Sequence, residues 1–228
     1  MWIRIVTNEM YKIDYEDLSQ RVHKLLKGMI LTGDLVSGQR LGQDELAAHL
    51  GVSRTPLLSA FSKLEREMLV ETVPRKGTFV RSYAPKELLD VYDIRIRLET
   101  LGARNATERG TDEEIAGLER LNDEYEQIIQ SSDPGKIKKH DYDFHMHLMT
   151  MSRNEFLTNI ISSNNIILIA HIQGLLKPPN ESLTQHRGIV DAIRSRNPEA
   201  AEEQMYHHLF TSRVCLIDAK LVESNTGV

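Results

Sequence analysis

The chain has 228 residues, with 28 Lys and Arg against 33 Asp and Glu for a formal net charge of −5, a single cysteine and 40% apolar residues. That length suits two modest domains. Cys215 alone excludes an intrachain disulfide framework, and its apolar helical surroundings predict a buried free thiol in a reducing cytoplasm. No run is long and apolar enough to span a membrane, and the opening residues 1–6 are too short for a secretory signal core. Residues 1–13 read as a loose arm, with Met10 as an alternative start.

Residues 41–70 carry the first strong pattern. Leu46, Ala47 and Leu50 recur at helical spacing, and the run stops at Gly51, the residue type that best tolerates a left-handed turn. Ser53 is placed to cap a second helix with its side-chain oxygen, and Pro56 falls in the first turn, where a missing N–H costs little. Ala47, Gly51 and Leu57 supply the small residue, the turn and the apolar anchor that let two helices cross closely, as in a helix-turn-helix. In that geometry the start of the second helix faces base edges in the major groove, so Ser53, Arg54 and Thr55 are candidate DNA contacts. Arg54 leads, because a guanidinium can take guanine O6 and N7 together, for about 1–3 kcal/mol of discrimination.

Two β-prone runs, 70–73 and 78–81, flank Pro74, Arg75, Lys76 and Gly77 and predict a hairpin wing with a basic tip. Arg75, Lys76 and Gly77 join the candidate DNA contacts. Residues 53–81 hold six basic side chains against three Glu, a local net of +3. Residues 1–82 hold 12 basic and 10 acidic side chains, which leaves a net of −7 on the remainder. The overall negative charge thus excludes a sequence-blind polycation without excluding DNA binding at one end.

Beyond Pro85 the periodicity is helical. One long helix is predicted over 85–109, and Thr111 with Glu114 forms a capping box for the next, to about 130. Asp133 and Pro134 open a third, through 151. Asn154 caps a fourth that carries the apolar run 166–170, and Pro178-Pro179 forces a stop. A fifth is predicted over 181–196, and Asn197-Pro198 opens a sixth to about 222. The fold class is mostly α: an N-terminal winged helix-turn-helix with a small β-hairpin wing, followed by an antiparallel all-α helical bundle. Its expected divisions are the arm 1–13, a DNA-binding domain 14–82, a linker 83–85, a helical domain 86–222 and a tail 223–228.

Asp141 and His145 stand four residues apart, which stacks a carboxylate and an imidazole on one helix face. His186 and His208 fall in the two last helices. A bundle that points such side chains inward can hold a divalent transition metal, with zinc, nickel and manganese all compatible with three imidazoles and one carboxylate. The same residues singly read as a surface hydrogen bond and core histidines. His23, His49, His140, His147, His171 and His207 read as ordinary histidines of that kind.

The runs ELAAHLGVSRTP, PRKGTFV, YDIRIRLE, DYDFHMHLMTMSRN and QHRGIVDAIRSRNPEAAEEQMYHHL, in this order over about residues 14–222, resemble the GntR transcription regulators whose C-terminal ligand-binding domain is called FCD. The resemblance implies no catalytic residue and a metal site at Asp141, His145, His186 and His208, with Met205 fixing the register on His208 rather than His207. It also implies a homodimer that binds a palindromic double-stranded DNA operator, and a bundle that binds the effector and dimerises. A metal with one carboxylate ligand keeps positive charge, so a small carboxylate effector is expected beside it. Arg95, in the Arg-x-x-Leu-Glu opening, is either a second anchor for that anion or half of a structural salt bridge. One departure stands out: Leu58 replaces the Arg usual in this family's recognition helix, which predicts a different operator or a weaker affinity. Two rival readings stay open, a metal-dependent hydrolase, for which no H-E-x-x-H, nucleophile elbow or phosphate loop is found, and a DNA-binding regulator whose metal is structural or is itself the signal.

Overall fold

Asp17 opens the first helix, α1 (Leu18–Thr32), by accepting from the Ser19 backbone N–H at 3.1 Å. Val22, Leu26 and Ile30 give α1 its buried face, and Gly33 ends it at φ 89°. The computed structural model describes residues 17–172 and 174–226, with side chains as far as Asp218, so the expected arm lies outside the described residues. Neither α1 nor the two-residue strand β1 (Arg40–Leu41) is among the elements that the sequence pattern predicts.

The predicted helix pair is α2 (Gln43–Leu50) and α3 (Arg54–Arg66), joined through Gly51 at φ 64°. Ala47 and Leu57 are buried at the crossing. Ser53 takes the N-cap position of α3 in an extended conformation, but its side chain makes no capping hydrogen bond, contrary to expectation. The wing is β2 (Val70–Val73) and β3 (Gly77–Val80), antiparallel with Val70 opposite Val80 and Val73 opposite Gly77. Its second strand begins one residue earlier than expected. β1 pairs on the other edge of β3, giving the order β1-β3-β2.

The bundle comprises α4 (Pro85–Arg109), α5 (Asp112–Ser131), α6 (Pro134–Met151), α7 (Glu155–Ser163), α8 (Ile166–His171), α9 (Pro179–Arg194) and α10 (Pro198–Thr226). The capping box of α5 forms as predicted, with Glu114 N–H donating to Thr111 Oγ1 at 3.2 Å and Thr111 N–H to Glu114 Oε2 at 2.9 Å. The single helix expected after Asn154 is two. Asn165 adopts a left-handed conformation, φ 52°, which asparagine tolerates better than most residues, and α8 restarts after it. Pro179 does not stop a helix: α8 ends earlier, at His171, and Pro179 opens α9 at a position that needs no N–H. α10 continues to Thr226, into the segment expected as a tail. Cys215 is half-buried rather than buried.

Two large cores result. One lies wholly within the bundle, around Ile96, Phe144, Leu148, Ile189 and Met205. The other joins the winged helix to the bundle: Leu26, Leu57, Phe61 and Leu69 pack in one cluster with Tyr83, Leu88, Leu168, Ile169 and Leu216. Tyr83, in the expected linker, is buried and donates its hydroxyl to the Met68 carbonyl. The winged helix therefore shares a core with α8 and the start of α4, and its α1 packs against α6.

Candidate functional site

Three helices converge at the centre of the bundle. α6 contributes Asp141 and His145, α9 His186 and α10 His208, and all four side chains are buried. His145 Nε2 lies 3.3 Å from His208 Nε2 and 3.8 Å from Asp141 Oδ2, and His186 Nε2 lies 3.7 Å from Asp141 Oδ1. Donor atoms of the three imidazoles fall within 4.8 Å of one another. Two donors bound at about 2.0–2.2 Å to one ion stand roughly 3–3.5 Å apart, so this spacing is close to what a shared ion needs.

The hydrogen bonding around the cluster supports that fit. Both ring nitrogens of His186 and Asp141 Oδ1 are buried without a hydrogen-bond partner. Buried polar atoms are rarely left so, and an ion is a natural partner for a neutral imidazole and a carboxylate together. Phe144 stacks on the His186 ring at 3.9 Å between centroids and fixes its plane. His145 Nδ1 sits 2.6 Å from Glu99 Oε2, and His208 Nδ1 sits 2.9 Å from Gln185 Oε1. Lys177 Nζ, which only donates, also stands 3.1 Å from His208 Nδ1, and the Nε2 atoms of His145 and His208 face each other at the centre.

Charge follows the same plan. Burial pushes His186 down to about 3, despite the attraction of Asp141, and pushes His208 well below the usual histidine range. Both rings are thus neutral at pH 7. For Asp141 burial acts upward, but the His171 hydrogen bond and the neighbouring imidazoles hold it well below the usual carboxylate range. His171 is accordingly no ordinary core histidine: its Nε2 lies 2.6 Å from Asp141 Oδ2 and its Nδ1 2.7 Å from the Ile167 carbonyl oxygen.

Arg95 is buried beside this cluster and pairs with Glu99, Nε to Oε1 at 2.6 Å. The salt-bridge reading of Arg95 is thus realised, while its side chain also lines a small cavity with Asp141, His145, His171, Lys177 and His208. That cavity measures about 20 Å³. Lys177, Gln185 and Glu99 went unrecognised as members of the site. Only Glu99 left a signal, its i,i+4 spacing from Arg95; the other two arrive through tertiary packing.

At the other end of the molecule Ser53, Arg54 and Thr55 are exposed at the start of α3, and Arg75 and Lys76 are exposed at the wing tip, with Gly77 half-buried behind them. Arg54 is not free: its guanidinium pairs with Asp44 of α2 at 2.6 Å. With both partners largely exposed, that pair is weak enough to exchange for another. Arg40 Nε donates to the Lys76 carbonyl at 3.1 Å and braces the wing tip.

A helix-turn-helix with a three-stranded wing, mounted on a helical bundle with a buried imidazole cluster, defines a DNA-binding protein of the winged-helix class. The profile of the gntR family of bacterial regulatory proteins matches residues 18–80, and the FCD domain profile matches residues 90–211. The chain belongs to this family of transcription regulators, in the group that carries an FCD domain. It is 30% identical over 189 residues to the HTH-type transcriptional regulator YdhC of Bacillus subtilis, covering 80% of this chain and 84% of the relative. It is 27% identical over 198 residues to the probable D-xylose utilization operon transcriptional repressor of Paenarthrobacter nicotinovorans, covering 84% of this chain and 85% of the relative. Among solved structures it is similar in fold to E. coli McbR/YncC, with a TM-score of 0.79 at 20% identity over 89% of this chain and 98% of that chain. The family is one of regulators rather than enzymes, which removes the hydrolase reading. Among the described residues no helix is long and apolar enough to cross a membrane.

Proposed function

We propose that this regulator is a cytoplasmic repressor whose hold on a palindromic operator is controlled by a small carboxylate bound beside a divalent metal in the bundle. The observation that carries this reading is the meeting of ring nitrogens of His145, His186 and His208 within 4.8 Å of one another, with the buried and unpartnered Asp141 Oδ1 3.7 Å from His186 Nε2. Zinc, nickel and manganese all suit this donor set. A divalent ion held there supplies a positively charged point of attachment for an anion. Arg95 lines the adjoining cavity and is the candidate second anchor. Ser53, Arg54, Thr55, Arg75, Lys76 and Gly77 are the proposed DNA contacts. A homodimer supplies the two-fold symmetry of the operator, and the exposed Ile94 and Leu101 of α4 with Tyr206 and Phe210 of α10 offer apolar surface for a second copy.

α8 links the two ends. At its C-terminal end His171 holds Asp141, and along its length Leu168, Ile169 and Ala170 belong to the core that the bundle shares with the winged helix. Before its first residue Asn165 Nδ2 reaches Glu67, the residue that closes α3, at 3.1 Å to Oε2 and 3.3 Å to the carbonyl. A ligand that bound both placements of the winged helix equally would regulate nothing, so the effector must favour one position of α8.

Plasma mass spectrometry of purified wild type and His208→Ala tests the centre. The expected result is about one metal equivalent per chain in the wild type and loss of it in the variant. Similar metal content in both would remove His208 from the ligand set and withdraw the anion argument built on the metal's charge.

A further inference from the structure

Lys177 is the unexplained residue of this region. It comes from the segment between α8 and α9, it is only 4% exposed, and its ammonium has no carboxylate within 4.0 Å among the described residues. Its hydrogen bonds go to neutral acceptors: the His208 carbonyl at 2.7 Å, His208 Nδ1 at 3.1 Å, Thr211 Oγ1 at 3.2 Å and Gln185 Oε1. The other buried cation beside the cluster, Arg95, is directly paired with a carboxylate. A desolvated ammonium without a counter-charge is costly to keep, and it is best accounted for by an anion that arrives from outside.

Where Lys177 stands indicates what that anion belongs to. The inner cavity beside Arg95, His145 and His208, at about 20 Å³, has room for one water-sized group. On the other side lies a wide cleft of about 1280 Å³, between the turn after α1 and the loops that precede α6 and α9. Gly174, Leu175 and Lys177 alone among the described residues line both spaces. A ligand that seats one oxygen of an acid group in the inner cavity must extend past Lys177 toward the cleft.

We propose that the effector is a small dicarboxylate, one carboxylate at the metal centre and the second on the Lys177 ammonium. The assignment rests on the carboxylate reading above and adds that Lys177 selects for a second anionic group. Calorimetric titration of metal-loaded protein with succinate and with butyrate, which share a four-carbon chain and differ by one carboxylate, tests it in the wild type, Lys177→Met and Lys177→Arg. In the wild type succinate should bind about tenfold or more tightly than butyrate, the scale of one charge-assisted contact. Lys177→Met should bring succinate to the level of butyrate, leave butyrate and metal content unchanged, and melt no lower than the wild type, because it removes a desolvated charge. Lys177→Arg should keep the preference. An equal preference for succinate in the wild type and Lys177→Met, or none in the wild type, would overturn the role of Lys177 and leave the carboxylate reading standing. Binding of neither acid by the loaded wild type would overturn both. Loss of metal, of butyrate binding or of thermal stability in Lys177→Met would make Lys177 a brace of the centre and overturn the proposal.

Discussion

Leu58 occupies an exposed position on α3, 42% accessible, one turn after the candidate contacts Arg54 and Thr55. An apolar side chain there can touch a thymine methyl but cannot take the bidentate guanine contact of an arginine. Leu58→Arg is expected to shift operator preference toward guanine at one position, with a change in affinity of about 1–3 kcal/mol on matched sites. Fluorescence anisotropy over a set of single-base operator variants would read it, and identical affinities and preference in both proteins would count against α3 lying in the groove as described. At this scale the four clustered side chains were legible because two share a helix face and the others sit in recognisable runs. The Arg54–Asp44 pair was not, since the two residues lie on different helices and meet only when α2 and α3 cross. His171 and Lys177 were hidden for the same reason, one behind an apolar run and the other in a connecting segment.

Among the elements, the ends with local chemistry were readable in advance. Gly51, the Thr111–Glu114 box, Asp133-Pro134 and Pro198 all act where their own backbones need them. The break between α7 and α8 went unread although Asn164 and Asn165 interrupt the apolar period, because an asparagine permits the left-handed turn without forcing it. What holds it is tertiary, the pair of hydrogen bonds from Asn165 to the carbonyl and carboxylate of Glu67, whose carboxylate also accepts from Lys27 at 3.3 Å. Asn165→Ala removes those donors and leaves an alanine in a left-handed conformation at a cost of roughly 1–2 kcal/mol. The expected consequences are a melting point lower by several degrees and a weakened link between sites. The ratio of operator affinities with and without saturating carboxylate should shrink by about 0.5–2 kcal/mol, while carboxylate affinity for the DNA-free protein stays nearly constant. A ratio equal to that of the wild type would exclude the α8 contact as the connection.

For the whole molecule, the charge asymmetry and the two structural signatures declare the architecture: a short-spaced helix pair with a hairpin, then uninterrupted helical periodicity. They do not declare how the halves sit together. The shared core formed by Leu26, Phe61, Tyr83, Leu168 and Leu216 brings together residues far apart in the chain, and no local pattern announces such contacts. That core joins the winged helix and the bundle, and the proposed coupling from α8 to α3 runs through it. The claim that the metal centre governs DNA binding is tested most directly by one titration. A fluorescent operator duplex, recovered by selection from random DNA, is held by metal-loaded wild type and titrated with small carboxylates, beside chelator-treated wild type and His208→Ala. The account predicts release from the loaded wild type alone, with operator affinity falling about tenfold or more at saturation. Release of equal size from the chelated protein and from His208→Ala, or no release from any of the three, would contradict it.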